Sequence, residues 1–184
     1  MKVKFCGFTN LADVRAADDL GVDFIGFVAV ASSPRAVTLE QARDLVAAEV
    51  KNAKTVLVGE FEDVAAGYDV VKPDYVQLHG APRLELCGIV PTIQAFRGVP
   101  SREVLEKFLA VCDYVLLDKA EGEEVGDFAA MRDLPLERAF VAGGLSKDVL
   151  PDLKPFAFDV ARGIESAPGV KDHKLMEEFL NLIR

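Results

Sequence analysis

Two residues of this chain have the chemistry to move protons on a single small molecule. The first is Cys6, which closes the apolar run of "VKFCGFTN" immediately before a glycine. A thiol with an unperturbed pKa of about 8.5 is only a few per cent thiolate at neutral pH, so something must favour the anion before it serves as a base. The start of a helix capped near Thr9 or Asn10 would supply that bias. The second is Asp118, directly after "YVLL". A carboxylate there is partly desolvated and its pKa raised, which suits it to donate a proton near neutral pH; an N-cap is its competing role.

Other polar residues end apolar runs in the same way. His79 closes "VQLHG" and reads as a polar group of the same site or as a hydrogen-bonding core residue. Arg35, in the loop "SSPRAVT", carries a planar fork that can grip a carboxylate through two parallel bonds, or it is a solvated charge. Asp159, after "FAF", orients a hydroxyl or a backbone N–H, or caps a helix. In "AGGL" and "ARGIE", Gly143, Gly144 and Gly163 let backbone N–H groups approach an anion closely, although ordinary turns use glycine too. Arg162 beside them would add a cation, and His173, at a helix start, reads as structural.

The elements that position these residues alternate along the whole chain. The strand candidates are "VKFCGF", "DFIGFVAV", "KTVLVGEF", "DYVQLHG", "VPTIQAF", "DYVLLDK", "RAFVAGG" and "AFDVARG". The helical candidates after them are "NLADVRAADDLG", "TLEQARDLVAAEV", "EDVAAGYDVV", "PRLELCG", "SREVLEKFLAVC", "GDFAAMRDL", "SKDVLPDL" and "DHKLMEEFLNLIR". Several open on Asn, Thr, Ser or Asp, the usual N-caps, and the third, fourth and sixth carry the weakest helical pattern. Strands that are almost continuously Val, Ile, Leu and Phe are buried on both faces, which points to a parallel sheet covered by helices. Eight successive βα units predict closure into a (β/α)8 barrel rather than an open doubly wound sheet. Such barrels typically have about 250 residues, so a chain of 184 predicts a compact version with short connections. Functional groups then lie at the C-terminal ends of the strands, where the candidates above are found.

Composition narrows the function classes. With 184 residues, 51% of them hydrophobic, residues 1–184 are expected to form one domain with a substantial core. No stretch approaches the roughly 20 apolar residues that span a bilayer, and "MKVKFCGFTN" has too short an apolar run for a signal peptide, so a cytoplasmic location is expected. A formal net charge of -9 argues against nucleic-acid and anionic-membrane partners, so an anionic ligand must be held by local groups. The three cysteines lack metal-site spacing; Cys87 and Cys112 read as small buried hydrophobes, with no disulfide framework or zinc site expected. Apolar helix faces serve a core and an interface equally, which leaves monomer and homodimer open.

These segments resemble, in order and over nearly the whole chain, the phosphoribosylanthranilate isomerase family of tryptophan biosynthesis. "KFCGFTN" is similar to the family's K-x-C-G-[IL]-T opening, and "SSPRAVT" to its S-x-R segment. "VQLHG", "VLLD" and "VAGGLS" follow, and "FDVARGIESAPGVKD" is close to D-V-S-S-G-V-E-x-x-P-G-x-K-D. The resemblance implies a compact (β/α)8 TIM barrel of the ribulose-phosphate-binding type. It implies an Amadori rearrangement of N-(5-phosphoribosyl)anthranilate to 1-(2-carboxyphenylamino)-1-deoxyribulose 5-phosphate, with no metal or organic cofactor. Asp118 would be the general acid at the furanose ring oxygen and Cys6 the general base at C2′. Arg35 would face the anthranilate carboxylate, with His79 and Asp159 as supporting polar groups. Gly143, Gly144, Arg162 and Gly163 would hold the ribose phosphate.

The chain also departs from the family's pattern. The loop "DKAEGEEVGDFAAM" lacks the paired glycines and the hydroxyl residue usual after the acid, Ala161 and Arg162 replace two serines, and Gln94 stands where a Lys is usual, which is expected to weaken a polar contact in the mouth. Two other readings stand beside the isomerase. One is another ribose-phosphate isomerase barrel, such as the related aminoimidazole carboxamide ribotide isomerase, which relies on two aspartates. The other is a non-catalytic phosphate-binding barrel. Cys6 paired with Asp118 favours the first reading over both.

Overall fold

The computed structural model describes residues 1–81 and 88–184. Eight parallel strands are hydrogen-bonded in sequence order and close into a barrel, the last pairing with the first. They are β1 (Lys2–Cys6), β2 (Phe24–Val28), β3 (Lys54–Gly59), β4 (Tyr75–Leu78), β5 (Thr92–Arg97), β6 (Tyr114–Asp118), β7 (Ala139–Val141) and β8 (Ala157–Val160). Every expected strand is present. A short antiparallel pair, β9 (Glu165–Ala167) and β10 (Val170–Lys171), follows β8 and a 3-10 turn over Arg162–Ile164.

Helices α1 (Leu11–Asp19), α2 (Leu39–Glu49), α3 (Phe61–Val71), α4 (Arg102–Leu109) and α5 (His173–Ile183) cover the outside. Four start on the expected caps: Asn10, Thr38, Ser101 and Asp172 each accept a backbone N–H of the first turn. Thr38 completes a capping box with Gln41. Two expected helices do not form. "GDFAAMRDL" makes turns, and "SKDVLPDL" bends so that Ser146 and Val149 exchange two backbone hydrogen bonds of 3.1 Å. Pro135 ends the first segment and Pro151 interrupts the second, and each disfavours helix in the residue before it. The expected helix "PRLELCG" falls largely on residues 82–87, outside the described residues.

Alternation along the strands divides the apolar residues into two layers. One packs between sheet and helices, with Phe5, Phe27, Leu57, Leu105 and Phe179 at its centre. The other fills the barrel interior. Its floor is aromatic: Phe24, Tyr75 and Tyr114 open β2, β4 and β6, and Phe156 precedes β8. Tyr114 stacks on Phe156 at 4.4 Å between centroids, and Phe24 meets Phe140 edge-on at 5.1 Å. With the N-terminal end of the interior plugged by these rings, the barrel leaves space for a ligand above this floor, among the inward residues nearer the strand C-termini.

Two sequence expectations need correction. Cys112 is buried as expected, but it is disulfide-bonded. Sequence spacing does not report which segments approach in space. Gln94 lies on the outward face of β5, because Ile93 and Ala95 point into the barrel; its amide donates to the Leu78 and Ala95 carbonyls at 3.3 and 3.0 Å. It is Arg97, at the end of β5, that reaches the mouth.

Candidate active site

At the C-terminal ends of the strands the barrel opens into a cavity of about 480 Å³. Cys6 from β1 and Asp118 from β6 both line it, as do Arg35, His79, Asp159, Gly143, Gly144 and Arg162. Gly163 stands just beyond, in the 3-10 turn after β8.

Cys6 is 8% exposed and points inward. Room for its sulfur comes from Gly26 on β2, where a Cβ would lie only 2.8 Å from Sγ. Burial pushes its thiol above the ordinary value, while Lys4 and Lys171 pull the other way. Helix α1 begins five residues further along at Leu11, so Lys4 and Lys171, rather than a helix start, are the groups that offset part of this burial. Lys4, two residues earlier on the same inward face, is 0% exposed. Its ammonium donates to both carboxylate oxygens of Asp159 at 2.9 Å, and its charge also acts on Cys6. Burial opposes the charge on Lys4, yet these two partners raise its pKa above the ordinary value.

Asp118 is half-buried, and burial raises its pKa, aided by the charge of Asp159. Its Oδ1 accepts the backbone N–H of Lys119 at 2.8 Å. That bond favours the anion, but desolvation outweighs it. The competing N-cap role is absent, since turns rather than a helix follow β6. The loop after Asp118, despite its missing glycines, folds back: Ala120 N donates to Glu123 Oε2 at 3.1 Å and Gly126 N to the Gly143 carbonyl at 3.0 Å.

His79 directly follows β4, with its Nε2 2.8 Å from Nε2 of Gln77. Burial, then Lys4 and Arg97, lower its pKa to about 4, so it is neutral at pH 7. Arg35 meets a carboxylate through two parallel bonds, as its chemistry suggested, but that carboxylate is Glu165, at 2.8 and 2.7 Å. Glu165 also takes Lys171 at 2.8 Å, and Lys171 donates to the Cys6 carbonyl at 2.6 Å. Burial works against the Glu165 anion, yet Arg35 and Lys171 hold its pKa below the ordinary value. This chain of charges ties the loop after β2 to the end of β1. His173 bonds Asp13 at 2.8 Å and is structural, as expected.

The glycines are required by backbone packing. Gly143 has φ +103°, and a Cβ there would meet Lys119 N at 2.9 Å; at Gly163 a Cβ would lie 2.0 Å from the Leu145 carbonyl oxygen. The loops after β6, β7 and β8 therefore close against one another, and Gly143, Gly144 and Arg162 line the mouth together. Among the described residues, no three His, Cys, Asp or Glu side chains gather to hold a metal ion.

Among the charged or polar residues of the site that escaped the sequence reading are Lys4, Gln77, Arg97, Glu165 and Lys171. Lys4 and Gln77 carried a usable signal, since each stands two residues before a candidate on the same strand and so shares its face. Glu165 and Lys171 lie in "GIESAPGVKD", where only the hairpin of β9 and β10 brings them beneath Arg35 and Cys6.

Comparison with known proteins gives a consistent set of relatives. A family model described as N-(5′phosphoribosyl)anthranilate (PRA) isomerase matches residues 3–182. The N-(5′-phosphoribosyl)anthranilate isomerase of Pseudomonas fluorescens (strain Pf0-1) is 33% identical over 207 residues, covering 100% of this chain and 98% of that protein. A crystal structure of phosphoribosyl anthranilate isomerase from Thermus thermophilus superposes with a TM-score of 0.86 at 28% identity, covering 100% of both chains. Another, of phosphoribosyl anthranilate isomerase in complex with reduced 1-(o-carboxyphenylamino)-1-deoxyribulose 5-phosphate, gives 0.81 at 29% identity over 98% of this chain and 97% of that one.

Proposed function

Because this chain belongs to the N-(5′-phosphoribosyl)anthranilate isomerase family, we propose that Asp118 and Cys6 carry the proton transfers of an Amadori rearrangement in its barrel mouth. The reaction belongs to tryptophan biosynthesis. Asp118, kept protonated to higher pH by burial, gives its proton to the furanose ring oxygen. The C1′–O bond breaks as the anilinic nitrogen lends its lone pair, leaving a cationic Schiff base. That cation acidifies the C2′–H bond, and the Cys6 thiolate takes the proton while the electron pair moves to nitrogen as an enolamine. Loss of the 2′-hydroxyl proton and gain of one at C1′ give 1-(2-carboxyphenylamino)-1-deoxyribulose 5-phosphate. Acid and base steps of this kind each contribute about 10² to 10⁴ in rate.

The remaining groups hold the substrate. Backbone N–H groups around Gly143, Gly144 and Gly163, with Arg162, take the phosphate. Arg35 uses its Nε and one Nη toward Glu165, so the other edge of its guanidinium is the one for the anthranilate carboxylate. Asp159 and His79 meet sugar hydroxyls. No cofactor is needed, and the protein works in the cytoplasm as a monomer or homodimer. None of the described helices is long and apolar enough to cross a membrane.

The observation that carries this reading is that Cys6 and Asp118, from strands on different sides of the barrel, line one cavity. The test is the fluorescence of freshly prepared phosphoribosylanthranilate, which the protein should discharge quickly with formation of the rearranged product. Decay at the spontaneous rate in the presence of folded protein would rule the reading out.

A further inference from the structure

Among the described residues, Oε1 of Gln77 is the buried side-chain polar atom with no hydrogen-bond partner. Gln77 is 2% exposed and lines the cavity from the inward face of β4. A buried acceptor left open is costly, and such an atom facing a binding cavity calls for a donor on the ligand. We infer that Gln77 is a substrate-binding residue: its Oε1 accepts a hydrogen bond from a sugar hydroxyl, while its Nε2–H donates to His79 Nε2 and fixes His79 as the Nδ1–H tautomer. The inference rests on the isomerase reading.

Three observations select this chemistry. The nearby ammonium of Lys4 is already held by both carboxylate oxygens of Asp159. With Lys4 and Arg97 both close enough to depress the pKa of His79, a cationic ligand group would be repelled, whereas a neutral hydroxyl is welcome. The same positive surroundings favour an amide that turns its oxygen, rather than its NH₂, toward the cavity. Finally, β4 stands across the eight-stranded ring from β8. A ligand anchored by phosphate near β7 and β8 therefore lays its sugar toward Gln77 and His79. His79, neutral at pH 7, then offers the sugar an N–H donor and not a general base.

Two measurements test this. Nitrogen-15 NMR of the ligand-free protein at pH 7 should show His79 with Nδ1 protonated and Nε2 bare; Gln77→Glu, whose carboxylate accepts from Nε2–H, should reverse that. Wild type with Nε2 protonated would overturn the inference. Second, Gln77→Met should weaken binding of reduced 1-(o-carboxyphenylamino)-1-deoxyribulose 5-phosphate roughly ten- to hundredfold and raise KM more than it lowers kcat. Wild type should discriminate against the 2-deoxy or the 3-deoxy form of that ligand, and Gln77→Met should have lost this discrimination. A folded Gln77→Met that binds and discriminates like wild type would overturn it as well. Failure of wild type itself to bind the ligand or turn over substrate would instead defeat the isomerase reading, which separates the two failures. If Gln77→Met does not fold, the tautomer measurement on wild type and Gln77→Glu decides alone.

Discussion

Replacing Lys4 by Met removes the cation that stands closest to both the proposed base and Asp159. The ion pair it breaks is buried, with Lys4 at 0% and Asp159 at 8% exposure and two contacts of 2.9 Å. Leaving a buried carboxylate without its partner costs about 3–5 kcal/mol, a large share of the roughly 5–15 kcal/mol that holds a domain together. The variant should fold with a clearly lower urea midpoint, and adding Asp159→Asn should recover most of the loss. The effect on Cys6 is separate. Lys4 is the largest influence that lowers the thiol pKa, so losing its charge, an effect of about 1.5–3 kcal/mol for a charged partner, should raise that pKa further. Cys6 is the free cysteine among the described residues, so the pH dependence of its alkylation by iodoacetamide reads that pKa directly. At neutral pH the thiolate fraction, and with it kcat/KM, should fall about ten- to hundredfold, and Lys4→Arg should restore part of both. A folded Lys4→Met whose alkylation curve superimposes on that of wild type would refute the assignment of Lys4 as the thiolate's partner.

Other perturbations reach different parts of the site. Cys6→Ala and Asp118→Asn should each lower kcat by about 10² to 10⁴ while the product analogue still binds; near-normal turnover in either removes that residue from the mechanism. Arg35→Ala should weaken carboxylate-bearing ligands far more than ribose 5-phosphate, measured by calorimetry, and equal losses for both would reject its proposed contact. His79 has a folded pKa of about 4 against an ordinary 6.5, so between those values the unfolded chain binds a proton that the folded protein refuses. Its contribution is intact above pH 6.5 and lost as pH falls toward 4, by roughly 3 kcal/mol in all. In urea titrations wild type should therefore lose about that much more stability between pH 7 and 4 than His79→Asn, and equal losses would contradict the buried neutral imidazole.

The eight strands were legible because each is a nearly unbroken apolar run, a pattern that burial on both faces demands and that local sequence shows directly. The caps at Asn10, Thr38, Ser101 and Asp172 were legible for the same reason, since a side chain and the N–H it accepts lie within three residues. The helices after β6 and β7 were misread because helical periodicity over eight or nine residues says little against a proline at or just beyond the end. Cys6, Asp118, His79 and Asp159 could be found from their place at or next to strand ends, and Arg35 from its loop after a strand. Their partners could not, because Lys4 meets Asp159 across 155 residues and Arg35 meets Glu165 across 130. Gly143 and Gly163 show the remaining limit: sequence marks the glycines, but only the packed loops show that neighbouring backbone leaves no space for a side chain.

The central claim is that one thiol and one carboxyl act in turn on the same sugar. Single-turnover conversion of phosphoribosylanthranilate carrying deuterium at C2′ tests it most directly. Wild type should open the ring and then show a primary isotope effect on proton removal; Cys6→Ala should stall after ring opening, and Asp118→Asn should stall before it. A Cys6→Ala protein that removes the C2′ deuteron at the wild-type rate would contradict the account.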